Sequence, residues 1–198
     1  MLKIGLTGAL ASGKSTTAQM FAELGVPVFS ADAAVHALYR GRAVPLVAAA
    51  FPGMVKDNEV DRSALAASVR DDPAALARLE GIVHPLVEEE EARFLARAAS
   101  EGHRITLSDI PLLFETGADR RYDLTVTVTA PEEMRRSRAL ERAEMTDALY
   151  KSLLARQMPD EEKRRRAHFV IDTGRGMDAA RRAVADILRA VTPMAALR

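Results

Sequence analysis

The sequence has no cysteine and no tryptophan, and aromatic side chains make up only 5% of its 198 residues. Without cysteine the chain cannot form disulfide bonds, thiolate zinc sites or a thiol nucleophile. Basic and acidic residues number 28 each, so a net charge of zero gives no overall field that would attract nucleic acid. No apolar run approaches a membrane span, and Met1 leads directly into a strand pattern without a signal peptide. We therefore expect a soluble, cytoplasmic monomer that binds small molecules and neither nucleic acid nor membrane.

The segment GALASGKS, residues 8–15, matches the pattern G-x-x-x-x-G-K-S. It follows the apolar run LKIGLT and precedes the amphipathic pattern TTAQMFAEL, which is the strand–loop–helix context of a phosphate-binding loop. Backbone N–H groups of such a loop cradle phosphate oxygens, and the helix start adds its positive end. Lys14 brings charge to the β- and γ-phosphates, and the Ser15 hydroxyl suits Mg²⁺. The segment predicts ATP or a similar triphosphate as ligand, held by Gly8, Ala11, Ser12, Gly13, Lys14 and Ser15.

Five short apolar segments have the composition of β-strands, and helical patterns separate them. Each segment is rich in valine, isoleucine, leucine or threonine, as buried parallel strands are. This alternation predicts an α/β fold with a five-stranded parallel sheet and helices on both faces. The predicted strands are residues 2–7, 26–30, 104–109, 123–129 and 168–172.

More than seventy residues separate the second and third predicted strands, far more than a minimal crossover needs. The pattern predicts helices over 31–40, 44–51, 62–70, 73–82 and 85–101, with an extended junction at His84 because a proline follows it. Residues 33–101 would then form a helical insert beside the carboxyl ends of the strands, where open α/β sheets bind ligands. No domain boundary is visible, so residues 1–198 are predicted to be a single domain with this insert.

A basic segment covers residues 134–167, and helical spacing places Arg135, Arg138 and Arg142 near one face. In a phosphoryl-transfer enzyme such a face closes over the triphosphate and offsets charge that develops in the transition state. The alternative is a solvated helical surface. We interpret residues 134–158 as a lid that brings Arg138 or Arg142 to the triphosphate. For residues 163–166 we favour a solvated surface.

Two aspartates are candidates for chemistry at the ends of predicted strands. Asp109 ends the third strand, where an acid supports Mg²⁺ or its waters. Asp32 follows the second strand, within reach of an acceptor hydroxyl. Either aspartate could instead cap a helix, because aspartate is a favoured N-cap residue. His84 could contact a substrate phosphate or merely cap its turn, and the sequence leaves these two roles equally open.

Several segments, in order along almost the whole chain, together resemble the dephospho-CoA kinase family. The phosphate loop alone is shared by many proteins, but the His-Pro element, the D-x-P-L-L-F-E block and the Q-M-P block are specific in combination. The segments are GLTGALASGKST, VPVFSADAAVHALY, VDRSAL, LEGIVHPLV, SDIPLLFETG, YDLTVTVTAPEEMRRSRALER and ARQMPDEEKRRRAHFVIDTG.

The resemblance implies an ATP-dependent kinase that phosphorylates the 3′-hydroxyl of dephospho-CoA, on a P-loop kinase core with a helical CoA-binding insert and a lid. It implies Asp32 as the base at the acceptor hydroxyl, and Lys14 and Arg142 as further catalytic residues. It also implies Lys14, Ser15 and Thr16 as the nucleotide and Mg²⁺ contacts. Asp109, from its position at a strand end, is a further Mg²⁺ candidate, and Arg138 on the predicted lid is a candidate nucleotide contact. The implied acceptor contacts are Asp32, Arg62, His84, Leu113, Phe114 and Glu115.

The chain departs from the family pattern at four positions. Ala9 and Ala11 replace glycines that are common in the phosphate loop, which leaves binding intact if their backbone angles suit a Cβ. Ser30 replaces the first acid of the family's D-A-D and puts any role for position 30 in doubt, but not Asp32. His168 stands where the family often has an acid, and we interpret it as a surface change.

Two other functions compete with this interpretation. One is a different small P-loop kinase, acting on a nucleoside monophosphate, shikimate or gluconate. The long helical insert and the PLLFE block favour a bulkier acceptor. The other is a GTPase-type switch, but the sequence contains no N/T-K-x-D segment and no D-x-x-G after the third strand.

Overall fold

The computed structural model describes residues 1–70, 72–143 and 145–196. It divides into two compact units: unit 1 combines Met1–Phe29 with Ala98–Arg198, and unit 2 is Ser30–Arg97. The strands are β1 (Leu2–Gly8), β2 (Val28–Ser30), β3 (Val55–Lys56), β4 (Glu59–Val60), β5 (Ile105–Asp109), β6 (Leu124–Thr129) and β7 (Phe169–Asp172). The helices are α1 (Lys14–Glu23), α2 (Ala31–Leu38), α3 (Val44–Ala50), α4 (Arg62–Val69), α5 (Pro73–Ser100), α6 (Glu132–Leu140), α7 (Asp147–Ala155), α8 (Asp160–Arg166) and α9 (Met177–Ala196).

Five strands form one sheet in the order β2-β5-β1-β6-β7. In this sheet β1 pairs in parallel with β5 on one side and with β6 on the other, and β6 pairs in parallel with β7. All five predicted strands are present, with boundaries shifted by no more than two residues. The predicted α/β fold, built on a five-stranded parallel sheet, is confirmed.

The core of unit 1 is built on one face of this sheet. Strands β1 and β6 are buried almost throughout, and alternate residues of a strand point to the same face. Helices α1 and α9 cover the apolar residues of that face with their own apolar side chains. This core includes Leu2, Ile4, Leu6, Phe21, Val126, Val128, Val184, Ile187 and Val191.

Unit 2 is helical, with a small hairpin that the sequence analysis did not predict. Strands β3 and β4 pair antiparallel across Asp57 and Asn58, whose φ angles are 49° and 60°. Both angles are positive, as a two-residue hairpin turn requires, and Asp and Asn tolerate them well. A separate apolar core holds the unit together and includes Leu38, Val47, Phe51, Leu65, Val69, Leu79 and Leu86.

The predicted break at His84 is wrong, because α5 continues through Pro85 from Pro73 to Ser100. A proline inside a helix removes one N–H donor and crowds the carbonyl four residues earlier. Here that carbonyl belongs to Gly81, an exposed residue, so water can reach it. Val83 and Leu86 on either side are buried in the core of unit 2 and hold the helix across the proline.

Candidate active site

The loop between β1 and α1 carries the predicted phosphate-binding segment, and two glycines shape its backbone. A Cβ at Gly8 would lie 2.6 Å from the carbonyl oxygen of Val128, so only glycine fits against β6. Gly13 adopts φ 90° and precedes α1 without a side-chain hydrogen bond to the helix. The first N–H groups of α1 therefore point out of the helix without a capping side chain, which is the arrangement that binds phosphate oxygens.

Lys14 and Asp109 are brought together at the carboxyl ends of β1 and β5. Lys14 Nζ forms a salt bridge with Asp109 Oδ1, and the two side chains are only 13% and 8% exposed. The neighbouring strands place the pair, since Leu6 of β1 lies opposite Asp109 of β5. Asp109 therefore binds the lysine of the phosphate loop and does not cap a helix.

Arg138 contacts the phosphate loop through one residue that the sequence analysis did not single out. Its Nη1 donates to Thr173 Oγ1 at 3.0 Å, and Thr173 Oγ1 lies 2.7 Å from the carbonyl oxygen of Ser12. Arg142 is exposed in the turn after α6, where its N–H donates to the carbonyl of Ala139. The structure thus brings Arg138 beside the phosphate loop and leaves Arg142 at the surface.

A second hydrogen bond holds the phosphate loop from the Q-M-P block. Leu10 N donates to Gln157 Oε1 at 2.9 Å. The next residue, Met158, donates its N–H to Glu115 Oε1 at 2.8 Å. Two adjacent residues therefore connect the phosphate loop to the PLLFE block that follows β5.

Lys163 contradicts the prediction that residues 163–166 are a solvated surface. Its side chain is fully buried, and its Nζ lies 2.8 Å from Glu115 Oε1. A buried ammonium needs an opposite charge, and that charge comes from a residue far away in the sequence. Arg166 is exposed but lies 4.8 Å from the centre of the Phe114 ring and donates to Asp119.

Three of the predicted acceptor contacts belong to unit 1, and two of them lie in its interior. Leu113 and Phe114 are 0% and 4% exposed, and Glu115 is paired with Lys163. These observations show that the PLLFE block contributes side chains to the packing of unit 1. Contact of Leu113, Phe114 and Glu115 with an acceptor stays a prediction.

In unit 2, Asp32 lies in the first turn of α2, and its side chain is exposed. The cap of this helix is Ser30, whose Oγ accepts a hydrogen bond from Ala33 N at 3.2 Å. The capping role considered for Asp32 is therefore filled by Ser30, two residues earlier. This also gives a structural role to Ser30, the position where the chain departs from the family's first acid.

Arg62 begins α4 and contacts α2 through a histidine. Its Nη1 lies 3.1 Å from His36 Nδ1, and His36 stands four residues after Asp32, on the same face of α2. Burial raises the pKa of the neighbouring Tyr39 phenol, and the Arg62 guanidinium acts in the opposite direction. His84 lies exposed on α5. Its contact with a substrate stays a prediction.

Ala11 has a backbone conformation that favours glycine. Its φ is 59°, in the left-handed region, whereas Ala9 lies outside that region. The Ala11 methyl group is buried against Ala139 and Tyr150 of α6 and α7. The strain of a Cβ at this angle, about 1–2 kcal/mol, is thus opposed by the packing of a buried methyl, about 0.8 kcal/mol.

We expect Ala11→Val to lower the free energy of unfolding by about 1–3 kcal/mol, because a branched side chain overfills the site and suits a positive φ poorly. Ala11→Gly relieves the strain and should stay within about 1 kcal/mol of the parent. Chemical denaturation of both variants measures the difference. A valine variant as stable as the parent would contradict the conformation described for this loop.

Residues 2–178 match the family model described as dephospho-CoA kinase. The chain belongs to the dephospho-CoA kinase family. A dephospho-CoA kinase from Mesorhizobium japonicum is 56% identical to it over 188 residues, 95% of this chain and 95% of that relative. A dephospho-CoA kinase from Brucella melitensis is 50% identical over 200 residues, and the match covers all of both chains. The resemblance inferred from the sequence is confirmed.

Solved structures agree with the fold of the dephospho-CoA kinase family. A protein from Thermus thermophilus superposes with a TM-score of 0.86 at 35% identity, covering 96% of each chain. A dephospho-CoA kinase from Campylobacter jejuni superposes with a TM-score of 0.65 at 21% identity, covering 96% of each chain, and supports the fold alone. As a member of this kinase family the chain is an ATP-dependent transferase.

In this member of the dephospho-CoA kinase family, the sequence analysis did not identify three residues of the candidate site: Gln157, Lys163 and Thr173. The first two stand in the Q-M-P…K block that carried the family resemblance, so the block itself was the available signal. Thr173 directly follows β7. Its position at the carboxyl end of a parallel strand, like that of Asp109, was a signal that could have been used.

Proposed function

We propose that the chain transfers the γ-phosphoryl group of ATP to the 3′-hydroxyl of dephospho-CoA, giving coenzyme A and ADP, the last step of coenzyme A biosynthesis. The observation that carries this proposal is a formed phosphate loop, with Lys14 paired to Asp109, in a chain that matches the dephospho-CoA kinase family over residues 2–178. The loop accounts for the donor, and the family accounts for the acceptor.

On the donor side, the backbone N–H groups at the start of α1 hold the phosphates of ATP, and Lys14 balances their charge. Lys14 is pre-positioned by its salt bridge to Asp109, which limits the side-chain freedom lost on binding. Transfer of a phosphoryl group is accelerated mainly by such positioning and charge stabilisation. Ser15 and Thr16 are exposed in the first turn of α1 and supply hydroxyl groups beside the phosphates.

Ser15 and Asp109 are the residues we propose for Mg²⁺. Among the described residues no cluster of three or more histidine and carboxylate side chains could hold a metal ion. A hydroxyl and a carboxylate oxygen are hard ligands that fit Mg²⁺, which usually binds through few protein groups together with water and substrate phosphates. When bound there, Mg²⁺ neutralises charge on the β- and γ-phosphates.

On the acceptor side, Asp32 is the proposed general base. Its carboxylate takes the proton of the 3′-hydroxyl as that oxygen bonds to the γ-phosphorus and the bond to ADP breaks. The placement of Asp32 in the first turn of α2, exposed and not used as the helix cap, supports this role. Arg62 and His84 are proposed to bind the acceptor within the helical insert, about residues 33–101, together with Leu113, Phe114 and Glu115 of the PLLFE block.

Residues 134–158 are proposed as the lid over the triphosphate. They include part of α6 and all of α7, and Glu144 lies outside the described residues. Arg138 is proposed to bind the nucleotide, which is supported by its link to the phosphate loop through Thr173. Arg142 is proposed to meet charge on the transferred group. Its exposed position after α6 supports a role in which Arg142 contacts that group only when the lid has closed.

An acceptor panel tests the proposed function. With ATP as donor, we expect phosphorylation of dephospho-CoA and little or no turnover of AMP, shikimate or gluconate. Coupled detection of ADP measures the rates, and mass spectrometry with 3′-specific phosphatase treatment identifies the product. Turnover of AMP or shikimate at a rate equal to that of dephospho-CoA would contradict the proposed function. A shikimate kinase from Acinetobacter baumannii shares the fold at 16% identity, with a TM-score of 0.58, so fold alone does not separate these acceptors.

The cellular location and the oligomeric state stay predictions. Within the described ranges, no helix is both long enough and apolar enough to cross a membrane. We propose a cytoplasmic monomer, in keeping with a biosynthetic kinase that acts on small molecules. Size-exclusion chromatography with light scattering of the purified chain checks the second part.

A further inference from the structure

Thr173 occupies a buried position where three segments of unit 1 meet. It directly follows β7, and it is 9% exposed. Its hydroxyl lies 2.7 Å from the carbonyl oxygen of Ser12 in the phosphate loop and 3.3 Å from that of Thr129 at the end of β6. Arg138 of α6 reaches the same residue, with Nη1 at 3.0 Å from Oγ1 and Nη2 at 3.4 Å from the carbonyl oxygen.

The chemistry of a hydroxyl sets the direction of these bonds. A threonine hydroxyl has one proton to donate and lone pairs to accept with, whereas a guanidinium can only donate. Thr173 therefore donates a hydrogen bond to the nearer carbonyl, that of Ser12, and accepts a hydrogen bond from Arg138. One hydroxyl thus connects the backbone of the phosphate loop to the guanidinium of Arg138.

The surroundings fix Thr173 in place. Asp172 Oδ1 accepts a hydrogen bond from Gly174 N at 2.8 Å, which closes a tight turn around Thr173. A Cβ at Gly174 would lie 2.4 Å from Pro131 Cδ, so the turn is pressed against the start of α6. On the other side, a Cβ at Gly13 would lie 3.3 Å from the Thr173 methyl group. The hydroxyl therefore has little freedom to turn away from its partners.

Arg138 keeps binding capacity after this contact. A guanidinium has five N–H donors, and the contacts with Thr173 use one on Nη1 and one on Nη2. Across the described residues the guanidinium of Arg138 hydrogen-bonds Thr173 and pairs with no carboxylate, so its charge beside the phosphate loop is not balanced by an acid. The remaining donors suit the oxygens of a triphosphate, which pair well with a planar guanidinium.

We propose that Thr173 is a positioning residue for ATP binding: its hydroxyl locks Arg138 to the phosphate loop so that the free donors of the guanidinium meet the triphosphate. This inference rests on the proposed function for the use of ATP as donor. It does not depend on which acceptor receives the phosphoryl group.

The test compares Thr173→Val, which keeps the shape and loses the hydroxyl, with Thr173→Ser, which keeps the hydroxyl. We expect the valine variant to lower kcat/KM for ATP roughly 10- to 100-fold, as misplacement of a binding group does. Isothermal titration with ATP should show a weaker Kd in the same variant. The serine variant should stay within about threefold of the parent, because the hydrogen bond to a charged group is retained.

Thr127→Val is the matched control. Thr127 is fully buried in β6, and its hydroxyl has no hydrogen-bond partner among the described residues. This variant makes the same chemical change at another buried threonine of unit 1, so its ATP affinity and kcat should match those of the parent. Thermal unfolding of all variants separates loss of fold from loss of positioning.

A double-variant cycle tests whether Thr173 acts through Arg138. If it does, Thr173→Val combined with Arg138→Met should bind ATP no more weakly than Arg138→Met alone. Fully additive losses, a serine variant as impaired as the valine variant, or a normal ATP affinity in Arg138→Met would each overturn the inference. Because ATP titration needs no acceptor, a failure of dephospho-CoA phosphorylation by the parent protein would refute the proposed function and leave this test intact.

Discussion

Asp32→Asn is expected to lower kcat with dephospho-CoA by about 10²–10⁴-fold, the usual loss when a general base is removed. Asparagine keeps the size of the side chain and an acceptor oxygen, but it cannot take the proton of the 3′-hydroxyl. ATP affinity should change little, because Asp32 belongs to α2 and not to the phosphate loop. Steady-state kinetics with both substrates and titration with ATP measure these two quantities on the same preparation.

Ser30→Ala is the control that isolates helix capping. It removes the hydroxyl that bonds Ala33 N and leaves Asp32 in place, so it should cost about 1 kcal/mol of stability and leave kcat near that of the parent. If Asp32→Asn instead lowers only the melting temperature and turns over at a normal rate, Asp32 has no part in the mechanism. Asp109 would then be the next carboxylate to test.

Lys14→Ala is expected to weaken ATP binding and to lower kcat by about 10²–10³-fold, the loss typical of one preorganised charged donor. Both quantities fall because the ammonium meets phosphate oxygens in the ground state as well as in the transition state. The variant also removes the salt-bridge partner of Asp109, whose side chain is only 8% exposed. We therefore expect a lower melting temperature as well.

The double variant Lys14→Ala with Asp109→Asn separates these two effects. Removing the carboxylate charge that Lys14 no longer balances should recover part of the lost melting temperature, while kcat and ATP affinity stay low. If the double variant recovers activity together with stability, the loss in Lys14→Ala arises from folding. A Lys14→Ala variant with parental Kd for ATP would contradict the assignment of this loop as the triphosphate site.

The local parts of the fold and the site could be predicted from the sequence, because their signals are local. The phosphate loop is a run of eight residues, and the strands are short apolar segments whose composition needs no partner to be identified. The family blocks extended the prediction to almost the whole chain. The break predicted at His84 shows where the local rule failed: Val83 and Leu86 are buried in the core of unit 2, and their packing outweighs the effect of Pro85 on the helix.

The sequence by itself determined the fold class, the family and the segment that binds phosphate. Only the tertiary structure decided which charges are buried and which polar groups meet. In the sequence Lys163 is one of four consecutive basic residues, but in α8 its side chain is buried and pairs with Glu115. Thr173 meets Ser12 and Arg138, from which it is separated by 161 and 35 residues. Such contacts depend on the order of the strands and the packing of helices against them, and no pattern of neighbouring residues carries that information because the partners are distant along the chain.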